Sequence, residues 1–185
     1  AIGFKSLTSL TTGAKNTGVG NITLEDLTTG SQNTALGADA LKNNTTASNN
    51  VAVGVDALQL NTTGAFNTAV GASSLDANTT ASNNSAFGAG TLGANTTGAD
   101  NTAVGRYALG GNTTANLNTA IGYASMQANT TGTNNVAVGA YALDAQTTAN
   151  DNTAVGYRSL SSNTTGADNV AIGKDALLGN TTGSN

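Results

Sequence analysis

The sequence predicts an all-β fold, a parallel β-solenoid in which every repeat forms one coil. Three observations predict it. One repeat of fixed length fills residues 1–185, large apolar residues return at the same places in each repeat, and no segment shows the apolar period of about 3.6 residues that marks a helix. We therefore expect a single repeat array that is a fragment of a longer fibrous protein.

The repeat is 17 residues long throughout the chain. One unit reads N-T-A-V-G-x-x-A-L-x-x-N-T-T-G/A-x-x, and eleven units follow one another without insertion or deletion. In a solenoid, stacking of neighbouring units builds a continuous core that one unit cannot form alone. The glycine that closes the first motif marks the register at Gly3, Gly20, Gly37, Gly54, Gly71, Gly88, Gly105, Gly122, Gly139, Gly156 and Gly173.

The first element of each unit is a short strand at the N-T-A-V-G motif. Side chains alternate between the two faces of a strand, so the two residues that flank Ala35 share one face. One of them, Leu36, belongs to a column that is large and apolar in every unit, here called the valine column. A second column, which contains Leu41 and is here called the leucine column, departs from Leu only at Met126. We predict that both columns point into one core, which includes Leu36, Leu41, Val53, Leu58, Val70, Leu75, Val104 and Leu109.

A tight turn and a second short strand are expected in the rest of each unit. The motif glycine suits a bend or a positive φ, and the Asn-Thr-Thr block is a poor helix former. Coils of this kind stack at roughly 4.8 Å, so the array should span about 50 Å. Stacking at the 17-residue register places Asn67 against Asn50 and Asn84, which turns two asparagine columns into amide ladders.

The composition excludes several function classes. Six basic and ten acidic residues give a net charge of −4 with no basic cluster, which argues against nucleic-acid binding. The chain has no cysteine for a disulfide and no histidine, the usual general base and commonest metal ligand. No apolar run approaches the roughly 18 residues of a membrane span. We expect no cofactor, no enzymatic activity and no membrane insertion by this segment.

Small residues occupy the middle position of each strand, on the face opposite the valine column. This alanine column begins with Gly18 and is Ala in every later unit. A face turned to water would carry varied polar residues, and a thin coil buries little surface alone. We therefore predict that this face meets other copies of the chain in a homotrimeric rod. The predicted chain–chain interface is Ala35, Ala52, Ala69, Ala86, Ala103, Ala120, Ala137, Ala154 and Ala171.

The repeats resemble a known family. N-T-A-V-G, N-T-A-I-G at residues 118–122 and N-V-A-I-G at residues 169–173 resemble the S-V-A-I-G repeats in the head domains of trimeric autotransporter adhesins. The 17-residue unit is also similar to arrays in bacterial and phage fibre proteins. The resemblance covers the whole chain. It implies a left-handed parallel β-roll with three chains per molecule, located outside the cell or on a virion, that attaches to a host surface glycan or protein through repeated contacts.

One strip of side chains beside the predicted core is a candidate contact surface. All four tyrosines fall in the two positions that follow the motif glycine, and an arginine adjoins two of them. Aromatic rings beside arginine can stack on a sugar or on a partner surface, although exposed tyrosines also occur without a ligand. The strip consists of Arg106, Tyr107, Tyr123, Tyr141, Tyr157 and Arg158.

Two pairs of stacked acids are candidate metal or catalytic sites. Asp39 and Asp56 share a column in successive units, as do Asp151 and Asp168. Carboxylates about 5 Å apart could share Ca²⁺, which takes about six or more oxygen ligands, or they could stay solvated. A pair could also serve a glycosidase, but no insertion builds a pocket and no sequence feature sets one pKa apart from the other. We predict no metal site and no catalytic residue.

Two other functions compete with attachment. A purely structural extracellular filament would need only end-to-end stacking of units. An ice-binding solenoid would use its threonines, since one Thr-Thr pair recurs in each unit. The two residues of a pair are adjacent, so in a strand only one hydroxyl would point outward.

Overall fold

The structure, a computed structural model, describes residues 1–184 as one parallel sheet whose strand order follows the chain order. One three-residue strand occurs in each coil, and residues 17 apart pair directly, for example Ala86 with Ala103. The chain thus completes one coil between neighbouring strands, so the all-β parallel solenoid is confirmed. The strands are β1 (Thr17–Val19), β2 (Thr34–Leu36), β3 (Val51–Val53), β4 (Thr68–Val70), β5 (Ser85–Phe87), β6 (Thr102–Val104), β7 (Thr119–Ile121), β8 (Val136–Val138), β9 (Thr153–Val155) and β10 (Val170–Ile172).

Two details of the coil differ from the prediction. Ten strands define nine complete coil-to-coil steps rather than eleven coils, because the first unit contributes only an isolated bridge between Ile2 and Val19. The second strand expected in each unit is replaced by a turn segment, as at residues 106–111. The ladder continues there, since Leu41 N–H donates to the Ala57 carbonyl of the next coil (3.0 Å) and Asp39 N–H to Asn21 of the preceding one (2.9 Å).

The turn segment is not a strand because its backbone alternates between right-handed and left-handed conformations. Leu109 has a φ of 50° and Tyr107 a φ of 61°, and the leucine column repeats this conformation in the other coils. A left-handed residue other than glycine costs roughly 1–2 kcal/mol. Full burial of a leucine side chain contributes about 1.5–3 kcal/mol, and Leu109 is fully buried. Burial of the leucine thus offsets the cost of its own left-handed backbone wherever the column is buried.

The interior lies between the alanine column of the strand and the leucine column of the turn segment. Ala103 and Leu109 have no exposed surface, and the same holds for Leu41, Leu58 and Leu75. The two columns pack across the coil. A Cβ added at Gly18 would lie 3.6 Å from Leu7 Cδ1 and 2.6 Å from Ser6 Oγ.

The valine column lies on the outer face, so half of the predicted core is wrong. Leu36 is 47% exposed and Val104 is 38% exposed, while Val53 and Val70 are half-buried. Alternation correctly separated the two faces, but the inner one is the face with small residues. The turn segment approaches the strand so closely that only Ala or Gly fits between them.

The alanine column is therefore not a chain–chain interface. Its members are small because their own coil encloses them, and a partner chain cannot reach them. The residues moved from the predicted interface to the interior are Ala35, Ala52, Ala69, Ala86, Ala103, Ala120, Ala137, Ala154 and Ala171.

The asparagine at the start of each motif forms a ladder at the predicted 17-residue register. Asn67 N–H donates to Asn50 Oδ1 (2.9 Å), and Asn84 N–H donates to Asn67 Oδ1 (3.0 Å). Asn67 Nδ2 also donates to the Ala81 carbonyl (2.8 Å). All three asparagines are fully buried. Each side chain thus satisfies a backbone donor of the next coil as well as a carbonyl.

In the second asparagine column, the side-chain amides bond directly to one another from coil to coil. Asn78 Nδ2 donates to Asn61 Oδ1 (2.8 Å), and Asn112 Nδ2 donates to Asn95 Oδ1 (2.8 Å). The same Nδ2 atom of Asn78 also donates to the Ala81 carbonyl within its own turn (3.1 Å). The ladder joins coils and also fixes the corner of each coil.

The motif glycine is required by the spacing of the coils. Gly105 has a φ of 126°, and a Cβ there would lie 2.5 Å from the carbonyl oxygen of Gly122 in the next coil. Any other residue would force the two coils apart at this corner.

Candidate functional site

Three tyrosines of the predicted strip form a cluster on the side of the coil that the turn segments form, here called the turn side. The ring centroids of Tyr123 and Tyr141 lie 5.3 Å apart at an interplanar angle of 74°, and those of Tyr141 and Tyr157 lie 6.3 Å apart at 84°. Edge-to-face pairs of this geometry stabilise one another beyond their burial. The structure thus brings together three tyrosines whose successive separations in sequence are 18 and 16 positions.

The two arginines of the strip have different surroundings. Arg106 stacks on Tyr107, with its guanidinium carbon 4.5 Å from the ring centroid, and Nη2 donates to the Tyr107 hydroxyl at 2.9 Å. This is a cation–π pair at an exposed site. Arg158 instead interacts electrostatically with the Asp144 carboxylate. Burial raises the pKa of this carboxyl above its ordinary value, and the positive charge of Arg158 partly lowers it. The predicted strip is thus two sites, an Arg106–Tyr107 pair and a tyrosine cluster.

A cavity of about 400 Å³ opens on the turn side near Tyr107. The sequence analysis did not predict this cavity. The sequence does carry a signal for it, since glycine replaces larger residues there in neighbouring coils. Burial raises the pKa of the Asp76 carboxyl at its edge above the ordinary value. Its lining residues are Ser73, Asp76, Gly90, Gly93, Ala94, Tyr107, Gly110 and Gln127.

The stacked acids do not assemble a ligand set. Within residues 1–184, no group of three or more His, Cys, Asp or Glu side chains is placed to hold a metal ion. Asp39 has Lys42 Nζ at 3.7 Å from its Oδ1, and Asp151 and Asp168 are exposed. A pair of carboxylates provides fewer oxygens than Ca²⁺ requires.

The outer face of the sheet carries one continuous apolar column, the valine column. The valine column is joined there by the first residue of each strand, which is Thr, Val or Ser. Exposed apolar residues also lie on both flanks, Phe66 and Leu117 on the side before the strands and Val55 and Tyr157 on the side after them. The exposed members of the valine column are Ile2, Leu36, Phe87, Val104, Ile121 and Ile172.

The Thr-Thr pairs form one exposed column. The first hydroxyl of a pair is used inside the coil, as where Thr96 Oγ1 donates to the Thr113 carbonyl of the next coil at 3.0 Å. The second residue, such as Thr97 or Thr114, is exposed. Only one threonine of each pair therefore faces the solvent.

No family model, curated protein or solved structure matches this chain. The class defined by the fold is a parallel β-solenoid repeat protein. Among the residues described, no helix is both long and apolar enough to cross a membrane.

Proposed function

We propose that this chain is a segment of a homotrimeric rod, located outside the cell or on a virion, that attaches to a surface through many weak contacts. The observation that carries the proposal is the exposed apolar face of the sheet. This assigns the contact between copies to the valine column, in place of the alanine column.

The size of the apolar face supports an interaction surface. Ten strands give nine steps of roughly 4.8 Å, and two outward side chains per strand lie about 7 Å apart, so the outer face covers on the order of 300 Å² before its flanks are counted, about half of it from the valine column. Continuous exposed apolar patches of a few hundred Å² commonly mark a binding surface.

Three copies fit this face better than two. A dimer would bring two narrow strips together face to face and leave the flanks exposed. In a ring of three, each chain contacts one neighbour on each side, so Phe66 of one copy can pack near Val55 of the next. Rings of this kind are closed and leave no apolar edge for further association.

Attachment follows from repetition. A rod of equivalent coils offers the same outward residues many times, and multivalency raises avidity by roughly 10²–10⁴ without any strong single contact. The sheet face is used between copies, so the turn side and the threonine column remain for the target surface.

Sedimentation of paired variants tests the assembly. The double variant Val104→Lys and Ile121→Lys places charges on the outer face, and Thr114→Lys with Thr131→Lys places the same charges on the exposed threonine column. We expect the wild type and the threonine control to sediment as trimers and the first variant as a folded monomer with an unchanged circular dichroism spectrum. A wild type that is monomeric at micromolar concentration would disprove the trimer.

Binding of labelled protein to a panel of bacterial and animal cells tests attachment. We expect the wild type to bind at least one surface, and the Val104→Lys, Ile121→Lys monomer to bind at least tenfold less because avidity is lost. Equal binding by monomer and trimer would contradict multivalent attachment.

The threonine column supports a second candidate, binding to ice. Its exposed residues repeat once per coil along a straight line, for example at Thr80, Thr97 and Thr114. Thermal hysteresis of the purified protein separates the two functions. Hysteresis that is lost in Thr97→Lys and kept in Val104→Lys would favour ice binding over attachment.

A further inference from the structure

One part of the turn side differs from the other coils. The column that contains Asp76 carries side chains in the coils on either side, Gln59 before it and Gln127 further along, but it is glycine at Gly93 and at Gly110. Two successive coils therefore lack a side chain there, and the surface has a cavity of about 400 Å³.

Glycine also shapes the aromatic wall of this cavity. Gly90 has a φ of 64°, and a Cβ there would lie 2.7 Å from both Cδ1 and Cε1 of Tyr107, at the edge of the ring. Arg106 covers one face of the same ring at 4.5 Å and donates to its hydroxyl. The ring is fixed by these two contacts, and Tyr107 lines the cavity.

The ends of the cavity are polar. The Asp76 carboxylate borders the floor, where its Oδ1 would lie 3.4 Å from a Cβ at Gly93. The Gln127 amide lies three coils further, about 14 Å along the rod. A carboxylate accepts hydrogen bonds, and an amide both accepts and donates them. The cavity thus combines one aromatic surface, a strong acceptor and a two-way hydrogen-bonding group.

We propose that this cavity binds a neutral pyranose unit of a surface glycan, with the sugar ring against Tyr107, its hydroxyls on Asp76, and Gln127 left for a neighbouring unit of the glycan. It rests on the proposed attachment role, for which it supplies the ligand class. A sugar presents an apolar C–H face and several hydroxyls at once, which matches this lining. The volume lies within the range of about 300–1,000 Å³ typical of small-ligand sites, and the negative charge of Asp76 disfavours acidic sugars.

Binding of soluble methyl glycosides tests the site without relying on trimer formation or on cells. Saturation-transfer NMR on the purified chain would use the methyl glycosides of galactose, glucose, mannose and N-acetylglucosamine, with sialic acid as the acidic comparison. A glycan array that carries both animal-type and bacterial polysaccharide glycans then identifies the source of the sugar. We expect at least one neutral glycoside to bind and sialic acid not to bind.

Four variants locate the binding. We expect Tyr107→Ala, Asp76→Asn and Gly93→Gln, which restores the residue type of Gln59, each to weaken binding about tenfold or more. Phe4→Ala, at an exposed aromatic residue outside the cavity, should bind as the wild type does. Melting curves show which variants remain folded, and Tyr107→Ala together with Asp76→Asn is decisive if Gly93→Gln unfolds.

Three results would overturn the proposal: no neutral glycoside binds, Phe4→Ala weakens binding as much as Tyr107→Ala does, or neither Tyr107→Ala nor Asp76→Asn changes it. Because the ligands are monovalent, these results are independent of the cell-binding assay. Cell attachment that persists while the glycosides fail would leave the attachment role standing without this site.

Discussion

Two neighbouring columns of the same strand have opposite environments. Ala103 has no exposed surface, whereas Val104, the next residue, is 38% exposed. The larger apolar residue is the one outside. In a coil this thin, the space between the strand and the turn segment sets the size of the inner residue, and apolar size alone does not mark the interior.

The strongest test of this comparison introduces one charge on each face. Ala103→Asp buries an unpaired carboxylate and should cost about 4 kcal/mol or more of unfolding free energy, enough to remove the cooperative transition. Val104→Asp should leave a folded monomer. Urea unfolding followed by circular dichroism measures both, and a larger loss in Val104→Asp would reverse the assignment of the faces.

The inner leucine column is compared with an outer leucine of the same backbone conformation. Leu109 is buried at a φ of 50°, and Leu117 is 58% exposed at a φ of 60°. Leu109→Ala should cost about 2–5 kcal/mol and Leu117→Ala within about 0.5 kcal/mol of zero. Because both substitutions act on left-handed leucines, the difference in urea midpoint isolates burial. Equal losses would show that conformation, and not packing, holds the column.

The buried ladder is tested by one polar substitution inside and one outside. Asn84→Leu leaves the buried Asn101 N–H without a partner and removes one of the two side-chain hydrogen bonds to the Gly98 carbonyl, so it should cost about 1–3 kcal/mol. Asn43→Leu is the control, since Leu60 already stands in that column. A thermal denaturation in which both variants lose the same stability would rule out a structural ladder.

The smallest expected effect concerns a partly buried carboxyl, that of Asp76. Burial holds the pKa of Asp76 above its usual value near 3.8, so its ionisation opposes folding once the pH exceeds the folded pKa. Asp76→Asn should therefore raise the melting temperature slightly at pH 7, and the gain should vanish below about pH 3.8. Exposed Asp100→Asn gives the baseline. A gain that grows as the pH falls would contradict the sign of the shift.

The period and the ladders were readable from the sequence, but the side of the strand that faces inward was not. Alternation states that Ala103 and Val104 lie on opposite faces, and only the distance to the turn segment decides which is inner. The missing second strand had no signal either, since leucine rarely adopts a left-handed backbone and nothing near Leu109 marks it. The cavity did have a signal, the successive glycines Gly93 and Gly110 in a column of side chains.

The hydrogen bonds between successive coils have a mechanical consequence. They run along the rod, from the N–H of one coil to the carbonyl of the next, so tension between the ends loads them directly. An end coil has a neighbour on one side only and detaches first. Each detachment replaces a rise of roughly 4.8 Å by about 58 Å of extended chain, since 17 residues are released. Under shear, the rod would lengthen in equal steps of about 53 Å and dissipate force at each one, as an extensible tether does.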